Sequence, residues 1–201
     1  MTGPQELLAV IGATLVAAGV LTLVATRFEP VLRFVEDTLT YLSTGVIVFV
    51  MAYVSTEVLM RYGFNAPLPG HLEGAELLVP IIVFFAISYT QARNGHVGMT
   101  LVVDALPPRG RMMLEISTLA LSWLLCGIMS YFAGKYALQL FRYDDVTMSP
   151  PYWRTWPSAA AISLGYALVA MRMWMQILHQ LKPSRFPPPP DDEIAELHSF
   201  E

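Results

Sequence analysis

Long runs without charge alternate with short polar breaks along this chain. Leu7–Thr26 carries no charged residue, and neither does Thr38–Thr56, which ends at Glu57. Leu77–Ala92 lies between Glu76 and Arg93 and contains Pro80. Ile116–Gly134 is uncharged between Glu115 and Lys135. Thr155–Met171 is uncharged too, and its apolar character continues past Arg172 towards Leu181. A helix crossing the hydrocarbon core needs about 20 apolar residues, with a usual range of about 17–25. Each run therefore predicts a spanning helix, the open structure that satisfies its own backbone in lipid. The expected fold is all-α, a polytopic membrane helix bundle.

Composition strengthens that reading. Hydrophobic residues make up 55% of the 201 and charged residues 14%, against roughly a quarter charged in soluble domains. So few charges cannot cover a globular core with a wet surface, and the hydrophobicity excludes disorder as a whole. A net charge of -4 and the lack of a basic run argue against nucleic acid as a partner. The lone Cys126 permits no intrachain disulfide.

The first run reads as a retained span rather than a leader. Met1–Glu6 holds no Lys or Arg, and Arg27-Phe28-Glu29-Pro30 follows it, whereas a signal peptide opens on a positive segment. With five spans, the basic residues fall into two sets. Arg27, Arg33, Arg93, Arg109, Arg111, Arg172, Lys182 and Arg185 share one side; Arg61, Lys135, Arg142 and Arg154 share the other. The richer side is expected to be cytoplasmic, which places the C-terminus inside and the N-terminus outside. Tyr152, Trp153 and Trp156 suit the headgroup level as interface anchors. Arg172 lies about 22 Å along a helix from Pro157, near the inner end, and reads as a snorkelling anchor.

Gly63, Pro67, Pro69 and Gly70 make the Arg61–Gly74 stretch a turn-rich hairpin loop. A second outer loop, Phe141–Trp156, holds Asp144-Asp145 and Pro150-Pro151. The tail beyond Pro183, with Pro187–Pro190 and Asp191-Asp192-Glu193, cannot bury a core. Glu57, Arg61, Glu73 and Glu76 flank the first loop, either as solvated helix ends or as polar contacts that hold the loop or dock a partner. Asp144 and Asp145 admit the same two readings.

Catalytic and metal motifs are missing. His71, His96, His179 and His198 form no HExxH pair, and there is no GxSxG, Walker A or GxGxxG signature. No catalytic residue, cofactor or metal is expected. Gly12, Gly19, Gly45, Gly127 and Gly165 read as close-packing points between helices. The middles of all five runs lack ionisable residues, which mark solute or ion paths in membranes. A path built by another chain is the better expectation.

Arg61-Tyr62-Gly63-Phe64-Asn65-Ala66-Pro67-Leu68-Pro69-Gly70 leads to Glu73 and Glu76. The third run then ends in Tyr89-Thr90-Gln91-Ala92-Arg93-Asn94-Gly95-His96-Val97, followed by Leu106-Pro107-Pro108-Arg109. Over residues 38–181 this resembles the small permease (Q) subunit of the tripartite ATP-independent periplasmic (TRAP) transporters. That subunit generally has four spans, so Leu7–Thr26 would be an extra one. Thr100 stands where the family often has an acidic residue. The resemblance implies residues 1–37 as an extra helix and connection, 38–181 as a four-helix domain, and 182–201 as a cytoplasmic tail. It also implies an inner-membrane scaffold for a large permease (M) subunit, in ion-gradient-driven uptake, usually with sodium. The solute, an organic acid or related compound, would come from a periplasmic binding protein. Arg61, Asn65, Glu73, Glu76, His96, Asp144 and Asp145 are the candidates for loop ordering or partner contact. An accessory subunit of another binding-protein-dependent carrier is the alternative.

Overall fold

The computed structural model describes residues 4–92 and 107–181. Four helices account for most of them: α1 (Pro4–Gly63), α2 (His71–Ala92), α3 (Pro108–Tyr143) and α4 (Trp156–Leu181). The only β pairing among the described residues is an isolated bridge between Val146 and Arg154. The stretches 30–63, 71–91, 110–143 and 156–181 are each long and apolar enough to cross a bilayer. At 34 residues, the first and third reach about 51 Å. They must tilt or project beyond a hydrocarbon core of about 30 Å.

The helix ends follow local chemistry. Pro107 is extended (ψ 155°) and Pro108 opens α3, where a missing N–H removes a donor that would have no helical partner. At the other end of α3, Asp144 turns left-handed (φ 52°) and its N–H closes on the Leu140 carbonyl. Pro80 sits inside α2 without ending it.

α4 is the central helix and packs against the other three. Its buried positions include Ser158, Ala159, Ala161 and Gly165, followed by Val169, Ala170, Met175 and Ile177. Small side chains let helix backbones approach closely, which in lipid takes the place of a hydrophobic driving force. A Cβ on Gly165 would stand 2.5 Å from the Phe84 carbonyl oxygen, so α2 presses directly on α4 there. A Cβ on Gly134 would meet Ser163 Oγ at 2.9 Å. Beside it, Ser130 Oγ donates to the Ser163 carbonyl (3.0 Å) and Ser163 Oγ to the Ser130 carbonyl (2.9 Å). Of the glycines expected to pack, Gly127 and Gly165 do so; Gly12, Gly19 and Gly45 face open space. Lower down, Trp123 and Trp174 meet at a tilt of 42° with ring centroids 4.9 Å apart, and Leu32 packs on Met175 and Leu178.

α2 and α4 run in the same direction, with Phe84 on Gly165 and Gln91 on Gln176. α3 runs against α4, as the pairs Phe141–Trp156, Ser130–Ser163 and Trp123–Trp174 require. The later part of α1 runs against α2: Glu36 meets Ser88, Ser43 Oγ donates to the Ile82 carbonyl, and Tyr53 lies by Gly74.

The expected break between a first and a second span is not there. Helix continues from Pro4 to Gly63, through the residues 27–37 read as a connection. That stretch contains no glycine or turn cluster to stop a helix, only Pro30. A straight helix of 60 residues would be about 90 Å long, and the contacts show that α1 is not straight. Glu6 pairs with Lys135 (3.2 Å) and Thr14 meets Gly127 (2.8 Å from its Cβ position), so residues 6–14 run against α3. Residues 32–57 run with α3. The chain therefore reverses between Thr14 and Leu32, in the stretch that holds Pro30, whose ring removes one helical hydrogen bond and clashes one turn back. Within the expected N-terminal span, the apolar helix among described residues is Leu8–Ala17.

Candidate functional site

Two polar constellations stand out, one at each end of the bundle. The first gathers the two loops at the end where α1 stops and α2 starts. Asn65 adopts a left-handed conformation (φ 51°), which Asn tolerates better than most residues. This brings the Ala66 N–H back to the Met60 carbonyl at 3.1 Å. Gly70 is also left-handed (φ 71°), and a Cβ there would stand 2.7 Å from the Pro150 oxygen and 2.5 Å from Pro151 Cδ. Only glycine fits, because both the backbone angle and the space demand it.

Around this turn two carboxylates, Glu57 and Glu73, point inward. Glu57, 3% exposed, accepts from Arg61 Nε at 2.7 Å. His71 Nε2 lies 3.8 Å from the second Glu57 oxygen, while its Nδ1 is 3.1 Å from the Leu68 carbonyl. Glu73 Oε1 accepts from Ser149 Oγ at 2.7 Å and ties α2 to the second loop. That loop is a hairpin: Thr147 N–H donates to the Trp153 carbonyl (2.9 Å), and Thr155 N–H to the Asp145 carbonyl (3.2 Å). Asp145 Oδ2 accepts from Thr155 Oγ1 (3.3 Å), and Asp144 pairs with Arg154 (3.4 Å) in the open. Glu76 is exposed.

Structure thus brings Arg61, Asn65, Glu73, Asp144 and Asp145 together at one end, at the two loops and the helix ends beside them. Trp153 lies on Gly74, Trp156 packs edge-on to Phe141 at 5.5 Å, and Tyr152 is exposed there. His96 lies outside the described residues.

The second constellation is at the far end. Ser88 Oγ donates to Glu36 Oε1 (2.6 Å), and Arg172 approaches Glu36 Oε2 at 3.8 Å. All three are buried: Ser88 is 0% exposed, Glu36 2% and Arg172 6%. Next to them Gln91 Nε2 donates to Gln176 Oε1, and Gln176 Nε2 returns a bond to the Gln91 carbonyl, both at 2.9 Å. Arg172 therefore does not snorkel to the interface as a membrane anchor. It turns into the bundle because a carboxylate waits there, and a paired buried charge costs far less than a lone one. Glu36 was hidden in the sequence by its place in a stretch that reads as a connection. The signal was its spacing: Leu32, Glu36 and Ser43 follow one helical face, which the uninterrupted helix turns inward.

Among the described residues no group of three or more His, Cys, Asp or Glu could hold a metal. In both constellations the hydroxyl, amide and charged groups bond mainly to one another between elements.

Apolar helices with small residues at their contacts and polar groups paired inside define the class: a multi-pass helical membrane protein. Residues 50–182, about two thirds of the chain, match the profile of the family described as tripartite ATP-independent periplasmic transporters, DctQ component. The chain belongs to this family and is a small TRAP transporter subunit. A protein of Haemophilus influenzae, provisionally named TRAP transporter small permease protein, is 28% identical over 86 residues. That alignment covers 43% of this chain and 53% of the Haemophilus protein.

Proposed function

We propose that this subunit is the static scaffold against which a large permease moves solute, in uptake driven by an ion gradient. The supporting observation is how α1 divides its faces. Phe34, Tyr41, Val48 and Leu59 stand exposed on one side, while Glu36, Ser43 and Glu57 are buried on the other. Such a helix offers apolar surface to lipid or a partner helix along its length and keeps its polar groups for internal bonds. A domain that slides through the bilayer needs a neighbour held at constant depth, and the interlocked loops and the buried Glu36–Arg172 pair suit a rigid body.

In this reading the loop end faces the periplasm, where four basic residues stand against eight on the other side. The binding protein arrives there with an organic acid or related solute, and sodium is the coupling ion. The N-terminus then lies on the periplasmic side and the C-terminus in the cytoplasm, a reading that the course of the α1 segment against α3 supports for the N-terminus.

Reconstitution tests the proposal. Liposomes holding this chain with its large permease should accumulate solute when binding protein and a sodium gradient are supplied. Liposomes holding this chain alone should not. Uptake by this chain alone overturns the scaffold reading.

A further inference from the structure

A groove of about 1080 Å³ opens between α3 and α4, on the half of the bundle nearer the hairpin. Its floor is small and apolar, including Gly134, Ala137 and Ala160, and its rim carries Lys135 and Arg142. These cations are seven residues apart, two helical turns, so they stand on one face of α3. Lys135 is paired with Glu6, while Arg142 has no ion pair among the described residues. The rim therefore carries one positive charge in excess. Trp156 borders the groove, and its indole N–H is buried with no acceptor.

We infer that this groove holds one anionic glycerophospholipid from the leaflet on the hairpin side. The acyl chains lie along the small-residue floor, and the phosphate sits between Arg142 and Lys135. Depth fits, because Tyr143 and Trp156 mark the level where amphipathic rings meet headgroups. Charge selects the class. A phosphodiester without a headgroup cation matches the excess charge, whereas a zwitterionic lipid brings an ammonium to a groove whose lining holds no carboxylate. Lys and Arg are the usual partners of phosphate. A transmembrane helix of a protein partner would leave Arg142 unanswered unless it brought its own acid.

The test uses the full chain purified in mild detergent from membranes, then exposed to vesicles of phosphatidylglycerol or of phosphatidylcholine, with bound lipid counted by native mass spectrometry. One phosphatidylglycerol should be retained per chain, in preference to phosphatidylcholine. Arg142→Gln should lower that retention about tenfold, the scale of a lost charge-assisted hydrogen bond. Trp156→Phe keeps the ring and should lower it by a smaller factor. Arg111→Gln, at the far end of α3, should leave it unchanged. Circular dichroism of each variant should match the parent; if Arg142→Gln alters the fold, Trp156→Phe against Arg111→Gln carries the decision. Equal retention of the two lipids, or loss with Arg111→Gln as large as with the rim variants, overturns the assignment. So does crosslinking that finds a partner helix filling the groove in the assembled transporter.

Discussion

Glu36 and Arg172 show how much one buried pair decides. Each would be prohibitive alone in an apolar bundle, and together with Ser88 they satisfy one another. Removing one partner of such a pair costs about 3–5 kcal/mol, because the other charge is stranded. Glu36→Ala should therefore lower the thermal midpoint in detergent sharply. The double change Glu36→Gln with Arg172→Met should restore most of it. A double variant no more stable than the single one would mean the pair is not the source of the loss. Gly70 makes a parallel case at the other end. Gly70→Ala meets both a left-handed backbone and the Pro150 oxygen 2.7 Å away, so it should cost about 1–3 kcal/mol. Limited proteolysis between residues 145 and 155 should then be faster than in the parent.

At the scale of elements, the course of α1 carries the sharpest expectation. Thr14 lies on Gly127 and Glu6 on Lys135, which a straight helix leaving the bundle could not achieve. A T14C/G127C chain with Cys126→Ser should form an intramolecular crosslink under mild oxidation. L42C/G127C, with Leu42 on the outward side of α1, should not. Absence of the first crosslink would contradict the reversal between Thr14 and Leu32. The helices themselves were legible from charge-free runs, since lipid imposes one length and one secondary structure. The join between the first two runs was not. Turn residues signal where a helix must stop, and a lone Pro30 permits a helix either to bend or to continue.

For the whole molecule, the loop end and its exposed acids set what a soluble partner would meet. Glu73 is engaged with Ser149 and Asp145 with Thr155, so changing either also loosens the hairpin. Glu76 is exposed and Asp144 forms an exposed pair, which makes them better probes of docking. On the proposed function, E76K/D144K should weaken binding-protein affinity about threefold to tenfold at low salt. The loss should shrink as salt is added, since rim charges act mainly through screened attraction. Affinity and uptake unchanged across salt concentrations would remove these acids from docking. The candidate residues were legible in part. Arg61, Asn65 and Glu73 fell in a loop whose turn residues announced order, while Ser88 and Gln176 sat in helices that looked featureless and Glu36 in a stretch that reads as a connection.

Sequence alone determined the solvent, most of the secondary structure and the family, because each depends on local composition: apolar runs of membrane length, and a loop motif read residue by residue. Only the tertiary structure decided which polar groups face one another. A charge near the end of an apolar run can reach for water or turn towards a partner, and the choice rests on what another helix, fifty or more residues away, presents at that height. For Arg172 it was Glu36, and that contact turned an apparent surface anchor into an internal tie.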